Sequence, residues 1–391
     1  MYQIGEEEIQ AVARVIKSGQ LSRYRGVENG ECFQFERDLC ERFGCKYALL
    51  VNSGTSALIC SLVACGIGPG DEVIVPAYTF MATAAAVLAV GAVPVIAEID
   101  ETLTLDVEDS ARKVSPRTKA IIPVYMHGLP CAMDRFSAVA ADFGLRLIED
   151  ACQGMGALYQ GRPAGAIGDI GAFSFNQFKI ITSGEGGAII TNNRELYEKA
   201  LIQHDGGCMF RPHADLLSVP IFPGANYRAS EITGAILRVQ LQRLDVLLSR
   251  LRERKRAAAE VLGGSTAYAL APIHGDDGDC GQVMMLQVDT EERMRRLLKA
   301  LAMKGLMAGT PIDSTGHVYT HWKPVLQQQR ANYAAAGAHQ PSVFNDEDER
   351  RRCPRTISIL SRTVGIPIDI NEAVDQVRRR VERIRTVAES V

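Results

Sequence analysis

The chain has 391 residues, of which 47% are hydrophobic and 23% charged, and its formal net charge is −3. This profile is typical of a globular protein that is long enough to form a large core and two domains. The near-neutral charge balance gives no global basic field that would favour a nucleic acid or a membrane surface as partner.

Cysteine usage and apolar patterning indicate a cellular location. The ten cysteines are scattered along the chain without the short paired spacings of a zinc site. The first residues, MYQIGEEEIQ, lack a signal-peptide pattern, and no apolar run is long enough to span a bilayer. A reducing cytoplasm is therefore the expected location.

The amino-terminal elements lead into a candidate anion site. Residues 5–18 and 33–43 have helical apolar spacing, and a short buried strand is expected over 47–51. The strand runs into Asn-Ser-Gly-Thr at 52–55 and then an apolar helix. The first amides of that helix have no intrahelical partner, so the turn would suit a phosphate. An ordinary helix cap is the alternative interpretation of the same residues.

Strands and helices alternate over the next hundred residues, with strands predicted over 72–76, 93–96, 120–124 and 145–149. Such alternation predicts an α/β fold with a largely parallel sheet and helices on both faces. Ligands of these sheets lie beyond the carboxyl ends of the strands, so residues at that position are expected to converge on one pocket. These residues are Asn52 to Ser56, Phe80, His127, Asp150 and Gln153.

Asp150 closes the apolar run that begins at Leu145. A carboxylate at the end of a buried strand needs a partner, because an unpaired buried charge is costly. The protonated ring nitrogen of a ligand would be such a partner, and a cap for the following turn is the structural alternative. Gln153, three residues later, is placed to donate to a neighbouring oxygen.

The other features are arranged around residues 168–191, GDIGAFSFNQFKIITSGEGGAIIT. This stretch predicts a strand, a polar break that holds Lys179, a Gly-rich turn and a second strand. Burial of that lysine would favour its neutral amine, which is the form that attacks a carbonyl. A solvated hairpin lysine is the alternative from this stretch alone. The flanking apolar residues are Phe175, Phe178, Ile180 and Ile181.

Taken together, these features are the parts needed to hold pyridoxal 5'-phosphate. Lys179 would form a Schiff base with the cofactor, and the small residues at 52–55 would hold its phosphate. Asp150 would keep the pyridine nitrogen protonated, so that the ring can accept electrons. Phe80 would stack on the ring.

The chain resembles the DegT/DnrJ/EryC1/StrS family of sugar aminotransferases, which are fold-type I pyridoxal-phosphate enzymes. The resemblance covers nearly the whole chain, and its motifs are highly specific when taken jointly. They are NSGTSAL (52–58), GDEVIVPAYTF (70–80), EDACQ (149–153), GDIGAFSFNQFKIITSGEGG (168–187) and NYRASEITGAIL (226–237).

The resemblance implies a role for each matched residue. Lys179 would hold the cofactor and then move a proton between the substrate carbon and the cofactor carbon. Asn226 would reach the phosphate of the neighbouring subunit's cofactor, which implies a homodimer with shared active sites. The other implied contacts are Asp150 with the pyridine nitrogen, Gln153 with the ring hydroxyl, Gly54, Thr55 and Ser174 with the phosphate, and Phe80 with the ring face.

The carboxyl-terminal part is expected to form a second, smaller domain. A long helical pattern over 229–262, with a basic end interpreted as a solvated face, would link a large cofactor-binding domain, 1–250, to an α+β domain, 251–391. A strand over 283–288 and helices over 291–302 and 373–387 are predicted there.

Residues 305–353 are the least readable part of the chain. His317 and His321 have metal-like spacing, but no Glu lies between them and a pyridoxal-phosphate site needs no metal, so none is expected. This segment, together with 99–105, is similar to the family branch that aminates an eight-carbon keto-sugar acid. Residues 327–352 show no clear period and are interpreted as an insertion or a mobile cover.

The predicted reaction is ping-pong transamination. An amino acid, with L-glutamate expected, would load the cofactor, and a ketone or aldehyde on a sugar, sugar acid or cyclitol would take the amino group. One alternative is a lyase of the aminohydroxybenzoate synthase type. The other is a non-catalytic regulator that retains the fold, against which the intact Lys179, Asp150 and Gln153 argue.

Overall fold

The apolar runs of the chain form three sheets in the computed structural model, which describes residues 4–24, 30–209, 211, 214–275, 278–326 and 352–391. The strands are β1 (Tyr47–Val51), β2 (Glu72–Pro76), β3 (Val93–Ala97), β4 (Thr118–Ile121), β5 (Arg146–Asp150), β6 (Leu158–Tyr159), β7 (Arg162–Pro163), β8 (Ile170–Ser174), β9 (Gly187–Thr191), β10 (Ala269–Leu270), β11 (Val283–Gln287) and β12 (Thr363–Pro367).

The largest sheet has seven strands in the order β1-β9-β8-β5-β4-β2-β3. The pairings among β2, β3, β4, β5 and β8 are parallel, and β9 is antiparallel to both β8 and β1. All strands except β9 therefore run in one direction, and their carboxyl ends share one edge. The predicted α/β fold with a largely parallel sheet is confirmed, and that edge is where ligands of such sheets bind.

Helices cover both faces of this sheet. Leu49 and Leu50 are adjacent on β1 and fully buried, yet they belong to different cores, as the two-residue period of a strand requires. The helices are α1 (Glu6–Ser18), α2 (Glu31–Phe43), α3 (Gly54–Ala64), α4 (Ala82–Ala89), α5 (Val107–Arg112), α6 (Met133–Phe143), α7 (Arg194–His204), α8 (Glu231–Gln242), α9 (Leu244–Leu262), α10 (Glu291–Met303), α11 (Lys323–Leu326), α12 (Pro354–Leu360) and α13 (Val374–Ser390).

The single long helix predicted over 229–262 is wrong, because the structure divides it into α8 and α9. The division falls at Arg243, whose main-chain N–H donates to Gln240 O at 3.1 Å, a tighter three-residue turn. The Arg243 guanidinium also donates to Glu8 Oε1 at 2.7 Å, which ties the break to α1. Apolar spacing continues through the break, so periodicity alone does not reveal it.

The first helix packs on α8 with a different side from the one that its larger residues suggest. Ala11 and Val15 are buried against Ala235, whereas Ile9 and Ile16 are 60% and 59% exposed. Small residues at the contact let the two helix backbones approach each other. Ile9 and Ile16, seven residues apart on one side of α1, therefore lie exposed in the single chain.

The carboxyl-terminal part has its own antiparallel sheet, in the order β10-β11-β12. Here α9 packs beside α13, and α10 lies against the same helix. No helix among the described residues is long and apolar enough to cross a membrane, and all ten cysteines are free thiols. Of residues 327–352, interpreted above as an insertion or mobile cover, 327–351 lie outside the described residues.

A polar turn at residues 98–106, which follows β3 of the seven-stranded sheet, contacts the carboxyl-terminal part of the chain. Glu98 accepts from the Thr356 main-chain N–H at 2.7 Å and from its hydroxyl at 2.6 Å. Asp106 accepts from Arg355 at 2.5 Å, and Asp100 lies 3.1 Å from His274 Nε2. These contacts hold the carboxyl-terminal part beside the edge of the main sheet.

Candidate active site

The β1–α3 turn forms an open cradle at the carboxyl edge of the sheet. Ser53 caps α3 by accepting from the main-chain N–H of Ser56 at 3.1 Å. A Cβ on Gly54 would lie 2.7 Å from Ser174 Cβ and 2.9 Å from Cys152 Sγ, so only glycine fits there. Thr55 follows as a half-buried residue in the first turn. The cradle thus combines free helix amides with the end of β8, which is suited to a phosphate.

Asp150 is 3% exposed and is held by neutral donors. Its Oδ2 accepts from Thr83 Oγ1 at 2.7 Å, and its Oδ1 accepts from the Cys152 main-chain N–H at 3.1 Å. No arginine, lysine or histidine among the described residues forms an ion pair with it. A buried carboxylate with neutral partners is suited to a cation supplied by a ligand.

Gln153 is oriented by the segment that follows β4. Its Oε1 accepts from the main-chain N–H of His127 at 3.0 Å, which leaves its NH₂ group as the available donor. His127 Nε2 lies 2.8 Å from the Tyr78 hydroxyl. The sequence prediction placed Gln153 and His127 in one pocket, and the structure brings them into contact.

Lys179 lies in the turn after β8, where its main-chain N–H donates to Asn176 O at 2.9 Å. Its side chain is half-buried, and Phe175, Ile180 and Ile181 are buried around it as predicted. Phe178 differs, since it is 76% exposed and does not cover the lysine within the chain. The hairpin geometry of β8 and β9 therefore presents Lys179 at the edge of the sheet that carries Asp150.

The charge of Lys179 affects the pKa values of three neighbouring side chains. Burial, then the charges of His317 and Lys179, lowers the pKa of His127 to about 4. Burial and the same lysine also lower the pKa of His317. Burial and Asp150 raise the pKa of the Cys152 thiol, and Lys179 acts in the opposite direction. Lys179 is therefore within electrostatic range of His127, His317 and Cys152.

Phe80 is 49% exposed and faces the cleft from the segment after β2. Its ring centroid is 5.5 Å from that of His317, which comes from the carboxyl-terminal part. The two segments are joined by main-chain hydrogen bonds, Thr79 N–H to His317 O and Met81 N–H to Gly316 O, each 2.9 Å. The exposed face of Phe80 is available for a flat ring.

Asn226 occupies a different position from the other predicted residues. It is exposed, and its side chain accepts a hydrogen bond at 3.3 Å from the main-chain N–H of Arg228. The next residue, Tyr227, accepts from the main-chain N–H of Asn52 at 2.8 Å, so the segment lies beside the cradle turn. An exposed Asn226 is compatible with the predicted contact to a neighbouring subunit.

Two contacts at the site were missed from sequence. Thr83 Oγ1 donates to Asp150 Oδ2 at 2.7 Å and lies 3.2 Å from the main-chain oxygen of Phe80. Its position one helical turn after Phe80 was the available signal. The pairing of Tyr78 with His127 joins residues 49 apart, and no local pattern indicates it.

His321 is exposed, and the described residues contain no group of three or more potential metal ligands.

The residues fit pyridoxal 5'-phosphate by three observations. The cradle at Gly54 would be closed by any side chain, the buried Asp150 has only neutral partners, and Lys179 lies at the same edge. A phosphate, a protonated ring nitrogen and an aldehyde carbon are the three groups that these features would hold.

Comparisons with known proteins agree with this chemistry. A model of the DegT/DnrJ/EryC1/StrS aminotransferase family matches residues 2–385. The chain is 35% identical over 372 residues to 3-amino-5-hydroxybenzoate synthase of Amycolatopsis mediterranei, covering 93% of the chain and 90% of the relative. It is 44% identical over 222 residues to GDP-perosamine synthase of Caulobacter vibrioides, covering 56% and 58%. A crystal structure of 3-amino-5-hydroxybenzoic acid synthase superposes with a TM-score of 0.83 at 31% identity, covering 100% and 98%.

Proposed function

Because the chain belongs to the DegT/DnrJ/EryC1/StrS aminotransferase family and is an aminotransferase, we propose that it carries amino groups on pyridoxal 5'-phosphate and delivers them to a keto sugar or a related polyol ketone. The observation that carries the proposal is Asp150, a buried carboxylate held by Thr83 Oγ1 at 2.7 Å beside a half-buried lysine. Asp150 Oδ1 also caps the following turn through the Cys152 N–H, but the buried negative charge has no cationic partner among the described residues, and a protonated ring nitrogen would supply one.

When bound, the cofactor supplies an electron sink for the bond that breaks next to the amine nitrogen. The chain's own residues do the rest. Gly54, Thr55 and Ser174 hold the phosphate at the amino terminus of α3, and Asp150 keeps the ring nitrogen protonated. Gln153 donates its NH₂ group to the ring oxygen, because its Oε1 is already used by the His127 N–H. Phe80 covers one ring face.

Lys179 holds the cofactor between turnovers and moves the proton in both half-reactions. Lys179 is half-buried, which limits the access of water to its amine. The turn between β8 and β9 fixes where the lysine side chain can extend. L-Glutamate is the proposed donor. It gives up its amino group in the first half-reaction and leaves as the keto acid, and the acceptor takes the amino group in the second.

The acceptor is to be identified with a panel of three ketone classes. The acceptor panel comprises a GDP-linked keto-hexose, scyllo-inosose as a cyclitol ketone, and an eight-carbon keto-sugar acid. Formation of 2-oxoglutarate from L-glutamate, measured with each member, tests the proposal. Turnover with any member of the panel would support a sugar or polyol acceptor. Turnover only with simple keto acids would contradict that acceptor class.

A homodimer with shared sites completes the proposal. Asn226 is exposed in the single chain, and the apolar side of α1, with Ile9 and Ile16, needs a cover. In the dimer, the second copy would place its exposed Asn226 at the cofactor phosphate of the first copy. Sedimentation of the purified protein tests the dimer, and a monomer would contradict it. We likewise propose a large domain, 1–250, a small domain, 251–391, and a reducing cytoplasmic location.

A second candidate reaction is favoured by one observation, the 35% identity to 3-amino-5-hydroxybenzoate synthase over 93% of the chain. The same lysine could remove a proton and eliminate water from a cyclic hydroxyketone, giving an aromatic product. Incubation with a dehydrated aminocyclitol ketone separates the two reactions. An aromatic ultraviolet spectrum formed without consumption of glutamate would favour the lyase over the transaminase.

A further inference from the structure

His127 has an unusual backbone conformation next to the proposed site. Its φ is 54°, in the left-handed region that non-glycine residues rarely adopt. The conformation turns its main-chain N–H towards Gln153 Oε1, at 3.0 Å, and its side chain towards Tyr78. The cost of such a conformation is typically met by surrounding contacts, and it concentrates at functional sites.

One nitrogen of the His127 ring is used and the other is not. Nε2 lies 2.8 Å from the hydroxyl of Tyr78, a residue that is only 2% exposed. Nδ1 has no hydrogen-bond partner in the part of the chain that the structure describes. His127 is half-buried, and Nδ1 is not among the fully buried side-chain atoms of the described residues that lack a partner, so Nδ1 is not sealed in the interior. It therefore opens to the cleft.

The ring is also uncharged at neutral pH. Burial and the charges of His317 and Lys179 lower the pKa of His127 to about 4. The Tyr78 hydroxyl stays protonated as well, because burial raises its pKa. A neutral imidazole whose Nε2 is fixed by a tyrosine offers one directional hydrogen bond at Nδ1, as donor or acceptor according to the tautomer. A hydroxyl group can pair with either tautomer, whereas a carboxylate or phosphate oxygen pairs only with a donor.

We propose that His127 is a specificity-determining residue for the acceptor, and that its Nδ1 hydrogen-bonds a hydroxyl next to the carbonyl carbon that receives the amino group. The inference rests on the proposed function, because it assigns the acceptor of that reaction a polyhydroxylated carbonyl compound. Tyr78 sets the direction of the bond by holding Nε2. Its neighbour Phe80 and the ring of His317 bound the same cleft.

Two substitutions separate the ring nitrogens. In His127→Asn the amide occupies the position of Nδ1, and asparagine tolerates the left-handed conformation. In His127→Gln the amide occupies the position of Nε2 and can keep the Tyr78 contact while Nδ1 is lost. The exposed His321 provides a matched control, His321→Gln.

The readout is the ratio of the second-order rate constants of the acceptor and glutamate half-reactions, followed separately by absorbance. The acceptor is the member of the acceptor panel that the wild-type enzyme aminates fastest. Loss of one directional hydrogen bond predicts that His127→Gln lowers the ratio about tenfold or more, while His127→Asn lowers it less than about threefold. His321→Gln should leave it unchanged.

A second measurement does not depend on how the variants fold. The ¹⁵N spectrum of histidine-labelled wild-type protein should show a neutral His127, whose Nδ1 resonance moves when the acceptor is added and stays when glutamate is added. Equal ratios for the two His127 variants, or an Nδ1 resonance that ignores the acceptor, would overturn the proposal. A wild-type enzyme that reacts with glutamate but aminates no panel member overturns the proposed acceptor class first, and this inference with it.

Discussion

Lys179 is the residue whose loss should separate chemistry from folding. Lys179→Ala removes the group that holds the cofactor and moves the proton, so turnover should fall by at least about 10³-fold. The thermal unfolding midpoint should stay close to wild type, because the side chain is only half-buried. Lys199→Ala removes a lysine that pairs with Glu195 on α7 and is the matched control. Residual turnover near wild type in Lys179→Ala would contradict the assignment.

Thr83 tests the support of Asp150. Thr83→Val keeps the shape of the side chain but leaves Asp150 Oδ2 without its donor at 2.7 Å. An unsatisfied buried carboxylate costs about 1–3 kcal/mol, so cofactor affinity or stability should fall by that amount. Thr83→Ser retains the hydroxyl, so its cofactor affinity or stability should fall much less. Dissociation constants for pyridoxal phosphate and urea unfolding of the three proteins check this, and equal values for Val and Ser would count against it.

At the scale of single residues, the sequence predicts which residue types stand at the ends of strands but not which side chains they contact. Asp150, Gln153 and Phe80 were predictable because each follows an apolar run whose end faces the ligand edge. Thr83 and Tyr78 were not, because their partners Asp150 and His127 lie 67 and 49 residues away in the chain. His127 was expected in the pocket, but its left-handed backbone depends on contacts with Gln153 and Tyr78 that form only in the folded chain.

At the scale of elements, the β1–α3 turn requires glycine at its first helical residue. Gly54→Ala would bring a Cβ to 2.7 Å from Ser174 Cβ and 2.9 Å from Cys152 Sγ. Overpacking predicts a stability loss of about 1–3 kcal/mol and a cradle too narrow for a phosphate. Gly68→Ala is the control, because its nearest atom, Val90 O, is 3.8 Å away. Absorbance after dialysis measures the retained cofactor, and full retention by Gly54→Ala would contradict the phosphate site.

The turn after α7 should make stability pH-dependent. Burial acts to raise the pKa of Asp205, but the hydrogen bond and charge of Arg211, then the charge of His204 and the hydrogen bond of Arg228, outweigh it and lower the pKa. A carboxyl with a lowered folded-state pKa stabilises the fold above its unfolded pKa, and the contribution is lost as pH falls through the folded value. Asp205→Asn should therefore cost about 2–3 kcal/mol at pH 7 and much less near pH 3.

The control for Asp205 is an exposed pair of the same type. Asp245, whose side chain is 72% exposed, pairs with Arg42, and Asp245→Asn should cost less than about 0.5 kcal/mol at either pH. Urea unfolding at the two pH values gives the comparison. A cost for Asp205→Asn that does not change with pH would show that the ion pairs contribute no linked stability.

Element bounds were predictable where an apolar run stops at turn residues, as for β1 before Asn52 and β8 before the Lys179 turn. They were not predictable at Arg243, because the helical spacing of apolar residues continues through the break. The strand β12, Thr363–Pro367, was missed, since a short run with a central Gly365 has little strand propensity without its partner β11.

At the scale of the whole molecule, shared active sites predict complementation between inactive variants. A mixture of Lys179→Ala and Asn226→Asp subunits would form heterodimers with one intact site, built from Lys179 of one subunit and Asn226 of its partner. Random exchange should restore about a quarter of wild-type turnover. Lys179→Ala mixed with Asp150→Asn should restore none, because both residues belong to one chain's site. Equal turnover in the two mixtures would contradict a shared site.

The family-level architecture was predictable across nearly the whole length, because the motifs at 52–58, 149–153 and 168–187 each mark the end of a strand at one sheet edge. The placement of His317 beside Phe80 was not, because it depends on main-chain hydrogen bonds from Thr79 and Met81 to a segment more than 200 residues away in the chain. In our proposal the acceptor contacts residues from such distant segments, so sequence motifs identify the reaction before the substrate.

The most direct test of the account is the absorbance of the purified protein loaded with pyridoxal phosphate, before and after L-glutamate is added. The account predicts a yellow band from cofactor joined to Lys179 that disappears with glutamate and returns when a member of the acceptor panel is added. Lys179→Ala should bind the cofactor without this cycle. A protein that stays colourless with pyridoxal phosphate would contradict the cofactor site, and with it the proposed transamination.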